Sequence, residues 1–281
     1  MTSQRIGFAY NPTNDAAVDL RERAAGWCAM HGVDQWAAQA QDFETLCSEL
    51  ATSDFLVVLG GDGTFLRAAR AVIQVDVPLI GVNLGKVGFL SKVEASELER
   101  VLERLVGGQF AIDERMVLEA RLLAEGRADG AIVHHALNDI VVARGALARV
   151  VRMDVAIGTS HLATFIADGL VVASPTGSTG YSFSAGGPIV APDSRNLIVT
   201  PIAGYLSTIR SVVVGPDQTV RCRIVDATEA IVSIDGREDV PIAVGDVVEV
   251  RALARPIQLV EPAGSLPFWE LFRQKVELLP S

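Results

Sequence analysis

The sequence predicts an open α/β domain, then an all-β domain of sandwich-like type, then a C-terminal helix that packs back on the first domain. Three observations carry this. Strand-like and helix-like segments alternate through about residue 112, as expected for an open sheet of mostly parallel strands. From Met116 to Val260 helical periodicity nearly vanishes, and short apolar runs recur between turn signals. Residues 266–279 return to helical spacing, with Phe268, Leu271, Phe272 and Val276 on one face. The expected division is 1–113 for the α/β domain, 114–264 for the β domain, and 265–281 returning to the first.

The elements follow in order. Arg5 to Tyr10 reads as a strand ended by Asn11-Pro12. Residues 15–30 place Ala16, Leu20, Ala24 and Trp27 at helical steps, with Gly32 as the stop. A weaker strand over 33–38 and a helix over about 42–50 come next. Phe55 to Leu59 is wholly apolar, as a strand buried on both faces should be. A helix over 65–73, a buried strand over 78–82 and a charged amphipathic helix over 96–106 complete the alternation. The β domain is expected to hold strands at 117–124, 131–143, 149–157, 164–166, 170–173, 197–200, 211–214, 219–225, 230–234, 247–253 and 257–260. Gly215-Pro216-Asp217 and Asp235-Gly236 are among the turns between them.

Composition excludes several classes. Apolar residues make up 49% of the 281 residues, which suits a sizeable core and argues against disorder. A net charge of −10 gives no basic field for nucleic acid, so an anionic ligand must be held by local groups. No apolar run is long enough to span a membrane, and the start lacks a signal-peptide core. Cys28, Cys47 and Cys222 are far apart, which fits a reducing cytoplasm and no disulfide framework or Cys-x-x-Cys zinc site. His31, His134, His135 and His161 have no metal-ligand spacing.

Two glycine loops and one glycine-rich segment stand out. Gly60-Gly61-Asp62-Gly63-Thr64 sits between a buried strand and a helix, where open α/β sheets bind ligands. Bare backbone and a helix N-terminus suit phosphate oxygens. An acidic residue there must ligate a cation, accept a ligand hydroxyl or remove a proton, unless Asp62 only caps the helix. Asn83-Leu84-Gly85-Lys86-Val87-Gly88-Phe89-Leu90 is the second loop. Asp168 to Pro192 carries Gly169, Gly177, Gly180, Gly186 and Gly187 among seven hydroxyl side chains. Such a segment offers N–H groups and close approach rather than core-filling side chains. Asn138-Asp139 lies inside a strand-like run, so the two side chains should face opposite ways. Dinucleotide, P-loop and nucleophile-elbow patterns fail at Leu66, Ile80 and Thr176 respectively.

These residues together resemble the NAD kinases. Lipid kinases and phosphofructokinases have similar Gly-Gly-Asp-Gly loops, but the combination with the second loop, Asn138-Asp139 and the Asp168–Pro188 pattern is specific. The resemblance implies an α/β nucleotide domain, a β domain that binds the dinucleotide, and homodimers or homotetramers in the cytoplasm. It implies ATP as donor, NAD as acceptor, and Mg²⁺ or another divalent cation. Asp62 matches the proton acceptor, and Asp62, Gly63 and Arg67 match nucleotide contacts. Asn138 and Asp139 match the pair that holds NAD, and Arg149 and Asp168 match further contacts. Thr179, Gly180, Tyr181, Ser182, Phe183 and Ser184 match the lining of the dinucleotide pocket. Arg237 stands where glutamine is usual. No protein metal ligand is assigned.

The chain departs from the family pattern at three places. Asp139 replaces the usual glutamate, keeping charge and acceptor capacity but shortening reach. Gly180 replaces alanine, and Ala173-Ser174 replaces a Ser-Thr pair. The rival readings are a kinase for a lipid or sugar hydroxyl and a non-catalytic dinucleotide sensor.

Overall fold

The computed structural model describes residues 4–85, 88–125, 130–145, 149–205 and 208–277, apart from the side chains of Glu238 and Val276. Lys86 and Val87 of the second glycine loop, and residues 278–279 of the expected tail helix, lie outside these. Residues up to Glu114 and from Ile257 onward form one compact unit, and Arg115–Pro256 form another.

The first unit begins with β1 (Arg5–Tyr10), α1 (Asp15–His31), β2 (Asp34–Gln39), α2 (Phe43–Leu50) and β3 (Phe55–Leu59). It continues with α3 (Asp62–Val75), β4 (Leu79–Asn83), the short β5 (Val93–Glu94), α4 (Leu98–Val106) and β6 (Phe110–Arg115). The second unit holds β7 (Leu118–Leu123), β8 (Ile132–Ala136), β9 (Asp139–Arg144), β10 (Val151–Ile157), β11 (Ser160–Ala167) and β12 (Gly169–Ala173). A 3₁₀ turn over Thr176–Thr179 and the single-turn α5 (Tyr181–Ser184) follow. Next come β13 (Leu197–Ile202), β14 (Val212–Val214), β15 (Val220–Asp226), β16 (Ala230–Ile234), β17 (Glu238–Ile242) and β18 (Val247–Ala252). The chain then returns to the first unit with β19 (Ile257–Pro262) and α6 (Phe268–Glu277).

The first sheet has the order β2-β1-β3-β4-β19-β6, with β5 against β4. β1 lies parallel to β2 and β3, and β4 lies parallel to β3, β5 and β19. Alternate strand residues feed different layers. Phe55, Val57 and Leu59 share a core with Leu20, Ala24 and Trp27 of α1 and Leu98, Val101 and Leu102 of α4. Gly81, of opposite parity to Ile80 and Val82 in β4, approaches Phe65 of α3. Helices on both faces explain why β3 and β4 are buried along their whole length.

One expectation is corrected here. The sequence pattern puts residues 257–260 in the β domain, yet Leu259 of β19 pairs with Leu79 of β4 in the first sheet. A short apolar strand reads alike in either sheet, and only its pairing partner separates them. β5, β6 and β17 escape the sequence pattern, because their charged residues dilute any strand signal.

The second unit holds two six-stranded sheets, β11-β10-β15-β18-β7-β8 and β14-β13-β12-β9-β16-β17. Leu118, Met153, Phe165 and Val248 of the first meet Ile140, Val142, Leu170 and Val172 of the second in one core. That is sandwich packing. The outward residues Val141, Val171 and Ala173 form another cluster, joined by Ala185 and Val190. The glycine-rich segment therefore covers the outer face of the second sheet, which accounts for the unbroken apolar run of β12. The predicted 131–143 strand is two strands, β8 and β9, separated by a turn at Leu137-Asn138.

Candidate active site

Asp62 opens α3 at the carboxyl end of β3. Gly61 precedes it as the N-cap, with no side-chain capping bond. The capping role is therefore not what Asp62 performs. Its carboxylate instead reaches the second glycine loop. Oδ2 accepts the Phe89 N–H at 2.9 Å, and Oδ1 accepts those of Leu90 and Ser91 at 3.1 and 3.0 Å. A Cβ on Gly88 would come within 2.0 Å of Asp62 Oδ1, so only glycine allows this approach. The two loops that are separate motifs in the sequence are thus one structure, joined by a carboxylate. Gly63 and Arg67 are exposed on the first two turns of α3.

Leu90 and Ser91 are buried, while Phe89 is only partly covered. The Phe89 ring lies 6.0 Å from that of Phe268 and 6.5 Å from that of Phe272, both on α6. The Lys275 ammonium stands 5.1 Å from its centroid.

In the β-rich unit the organising residue is Asp235, in the turn between β16 and β17. The sequence pattern marks it only as a turn residue. Its carboxylate accepts the N–H groups of Leu137, Asn138 and Asp139 at 3.0, 2.8 and 3.1 Å. Its own N–H donates to the Asp139 carbonyl at 3.0 Å. The Asn138 carbonyl accepts the Ser174 N–H at 2.8 Å, and the Ser174 hydroxyl donates to the Leu137 carbonyl at 2.5 Å. A Cβ on Gly177 would fall 2.0 Å from the Asn138 carbonyl oxygen. Close backbone packing thus fixes the Asn138 turn against the glycine-rich segment.

Asn138 and Asp139 do not diverge as strand alternation suggests. Asn138 lies in the turn and β9 starts at Asp139, so period-two geometry does not apply to the pair. A Cβ at Gly180 would stand 3.8 Å from both Asn138 Nδ2 and Asp139 Oδ2. Both side chains therefore converge on bare backbone.

Asp139 is 6% exposed. Burial, reinforced by the Asp235 charge, pushes its carboxyl up to about 7. A carboxyl so raised divides between carboxylate and carboxylic acid near neutral pH. Asp235 is also raised by burial, against the three N–H bonds and the nearby Arg237 charge, which favour its anion.

The remaining predicted residues fall into two groups. Thr179 ends the 3₁₀ turn, its hydroxyl donating to the Thr176 carbonyl at 3.2 Å. Tyr181 and Phe183 are 47% and 43% exposed, and Ser184 is exposed beside them. Ser182 points inward to the Thr200 hydroxyl at 3.3 Å, so it serves packing. Arg115, missed in the sequence, is a buried arginine whose guanidinium lies 3.5 Å from the Thr176 hydroxyl. Asp168 is not brought to this cluster. It precedes β12 at the end remote from Ala173, so roughly 16 Å of strand separates it from Asp139's neighbour. There it pairs with Arg144 at 2.9 Å. Arg149 is exposed, two residues before β10.

Among the described residues no three His, Cys, Asp or Glu side chains gather as a metal cage. No helix among them is long and apolar enough to cross a membrane. Cys28, Cys47 and Cys222 are free thiols.

Comparison with known proteins agrees with this geometry. Residues 4–110 match the ATP-NAD kinase N-terminal domain, and residues 137–262 match the ATP-NAD kinase C-terminal domain. An NAD kinase of Heliobacterium modesticaldum is 38% identical over 280 residues, covering 97% of this chain and 98% of that protein. One of Dehalococcoides mccartyi is 37% identical, covering 92% and 90%. Among solved structures, yeast NADH kinase complexed with NADH superposes with a TM-score of 0.82 at 25% identity, covering 99% of this chain and 87% of that one. An Archaeoglobus fulgidus NAD kinase in complex with ATP gives 0.78 at 25% identity, covering 99% and 100%. The chain belongs to the NAD kinase family.

Proposed function

We propose that this chain transfers the γ-phosphoryl group of ATP to the 2′-hydroxyl of the adenosine ribose of NAD, giving NADP, with Asp62 as proton acceptor. The observation that carries the role of Asp62 is its double placement. It opens a helix at the end of a buried parallel strand, and three backbone N–H groups fix both carboxylate oxygens. An ionised carboxylate has about four acceptor positions, so about one remains, held in a fixed direction. A proton acceptor needs that kind of orientation.

In the reaction the ribose oxygen loses its proton to Asp62 and bonds the γ-phosphorus, while the bond to the β–γ bridging oxygen breaks and ADP leaves. Gly63 and the start of α3 would present N–H groups to phosphate oxygens, and Arg67 a positive charge. A divalent cation such as Mg²⁺, held on the triphosphate oxygens and water, would neutralise charge as the γ-phosphoryl moves. Phosphate oxygens, waters and one or two carboxylates make a fitting donor set for it, so no all-protein cage is required.

In the β-rich unit, Asn138 would bind the dinucleotide through its amide. Asp139 would bind as acceptor when ionised and as donor when protonated. Tyr181, Phe183 and Ser184 are exposed for contact, and Thr179 and Gly180 border them, whereas Ser182 would act only by holding that turn. Asp168, Arg149 and Arg237 are kept as nucleotide contacts on the strength of the family pattern alone. A homodimer or homotetramer in the cytoplasm completes the reading. Exposed apolar residues on the edge strand β8, Ile132 at 59% and Val133 at 47%, suit a subunit contact.

The test is to incubate pure protein with ATP, Mg²⁺ and NAD and to assay NADP⁺. Asp62→Asn should lose about 10²–10⁴-fold in turnover while still binding NAD. Near-normal turnover in that variant removes Asp62 from the role. NAD binding without NADP⁺ formation in the wild type would make the chain a sensor.

A further inference from the structure

We propose that Phe268 and Phe272 of the C-terminal helix are positioning residues for Asp62, acting through Phe89. The proposal rests on the reading of Asp62 as proton acceptor, and it names what keeps that carboxylate in place.

The three donors to Asp62 are anchored differently. Leu90 and Ser91 donate to Oδ1 and are themselves buried, at 6% and 0% exposure. The α/β core holds them. Phe89 donates to Oδ2 and is only partly covered, within a turn closed by the Gly88 N–H bond to the Ser91 carbonyl at 3.0 Å. Its ring is instead placed by α6: Phe268 and Phe272 at centroid distances of 6.0 and 6.5 Å, with Lys275 over the face at 5.1 Å. Phe268 and Phe272 also stack on each other at 6.3 Å, and Trp269 closes edge-on against both. Leu271 pins the helix to the unit at 3% exposure.

The chain of contacts therefore runs from α6 rings to the Phe89 ring, to the Phe89 N–H, to Asp62 Oδ2. Aromatic pairs of this kind are directional as well as apolar, so they fix orientation rather than merely covering surface. Loss of the α6 rings leaves Oδ1 held and the Phe89 N–H bond to Oδ2 less firmly placed, and the carboxylate gains freedom to rotate about its Cβ–Cγ bond. Such rotation turns the remaining acceptor position away from a bound hydroxyl, and displacement of about 1 Å is enough to slow a transfer markedly. The dinucleotide should still bind, because none of these rings is among the predicted dinucleotide contacts.

The experiment compares Phe268→Ala, Phe272→Ala and the double variant with wild type, using full-length protein. Two readouts are taken. Amide hydrogen exchange at Phe89, Leu90 and Ser91 reports the loop without reference to activity. Phe89 should exchange at least about tenfold faster in the double variant, with Leu90 and Ser91 much less affected. Steady-state kinetics should show kcat down about 10- to 100-fold with KM for NAD within about twofold. Phe272→Tyr should restore most of the lost turnover. Arg273→Ala, which removes an exposed pair with Glu277, is the control and should match wild type.

Unchanged exchange at Phe89 overturns the proposal, as does a loss expressed in KM alone. Faster exchange with unchanged kcat overturns the link from Phe89 to Asp62. If wild type forms no NADP⁺ but the exchange pattern holds, the reading of function fails while the contact chain stands.

Discussion

Asp139→Asn is expected to stabilise the β-rich unit at alkaline pH and to do so less and less as pH falls. Asp139 has its carboxyl raised from 3.8 to about 7 by burial and by Asp235. In the pH interval between these values the folded chain holds a proton that the unfolded chain has released. Stability from this group is therefore full below about 3.8 and is lost as pH rises towards about 7. Each pH unit across that interval costs the fold about 1.36 kcal/mol. The whole interval, about three pH units wide, gives a loss of about 4 kcal/mol by pH 8. Asparagine has nearly the same shape and no charge to bury at any pH, so it escapes this loss.

The assay is urea unfolding of wild type and Asp139→Asn at pH 5 and pH 8. Trp27, Trp36 and Trp269 all belong to the α/β unit, so their fluorescence would miss the effect. Far-UV circular dichroism, or hydrogen exchange at Ile140 and Val142, follows the right unit. The quantity to compare is the difference between variant and wild type at the two pH values, which cancels any constant cost of the amide. At pH 5 the wild type has lost about 1–2 kcal/mol, so the variant's advantage should grow by roughly 2–3 kcal/mol between pH 5 and 8. A gap that stays constant across this range refutes the idea that Asp139 is held protonated.

Other outcomes follow from the same geometry. Gly177→Ala should disrupt the Asn138 turn, since its Cβ would stand 2.0 Å from a backbone oxygen; a thermal melt should show a clear loss and NAD binding should weaken at least tenfold. Gly180→Ala should be tolerated, because its nearest neighbours lie at 3.4–3.8 Å, and a melting temperature equal to or above that of wild type would bear this out. Asp235→Ala leaves three part-buried N–H groups without their acceptor, so chemical denaturation should show a cost of about 3 kcal/mol. Arg144→Ala breaks a half-exposed pair with Asp168 and should change stability by less than about 1 kcal/mol, read by the same denaturation.

The alternation of strand and helix is legible because β3 and β4 are buried on both faces and their helices carry a one-sided apolar stripe. The loop Gly60–Thr64 is legible as a candidate ligand site because a glycine pair beside an aspartate has little use in a plain turn. Two things are not legible. The first is which sheet β19 joins, since a short run with three apolar residues, Ile257, Leu259 and Val260, carries no record of its partner. The second is the job of Asp235. Its importance comes from pointing back at three successive N–H groups of a turn almost a hundred residues earlier in the chain, and no local pattern encodes a contact at that separation. The same holds for Phe89, which in sequence is one apolar residue after a glycine.

Asp62 and Asp235 solve one problem in the same way. Each is a carboxylate that accepts three N–H groups from a turn distant in sequence, one following Gly88 and the other packed against Gly177. A turn that must stay bare for a ligand cannot be stabilised by side chains of its own. Its backbone donors then need an acceptor from elsewhere, and an ionised carboxylate is the strongest one available. The difference lies in what stands beside each. Among the described residues the donors to the Asp62 carboxylate are backbone N–H groups, and Asp62 is partly exposed. Asp235 stands next to Asp139 and burial raises both carboxyls, while no N–H donor to the Asp139 carboxylate is found among the described residues. Near neutral pH the proton is therefore partly held at Asp139, the residue that converges with Asn138 on Gly180.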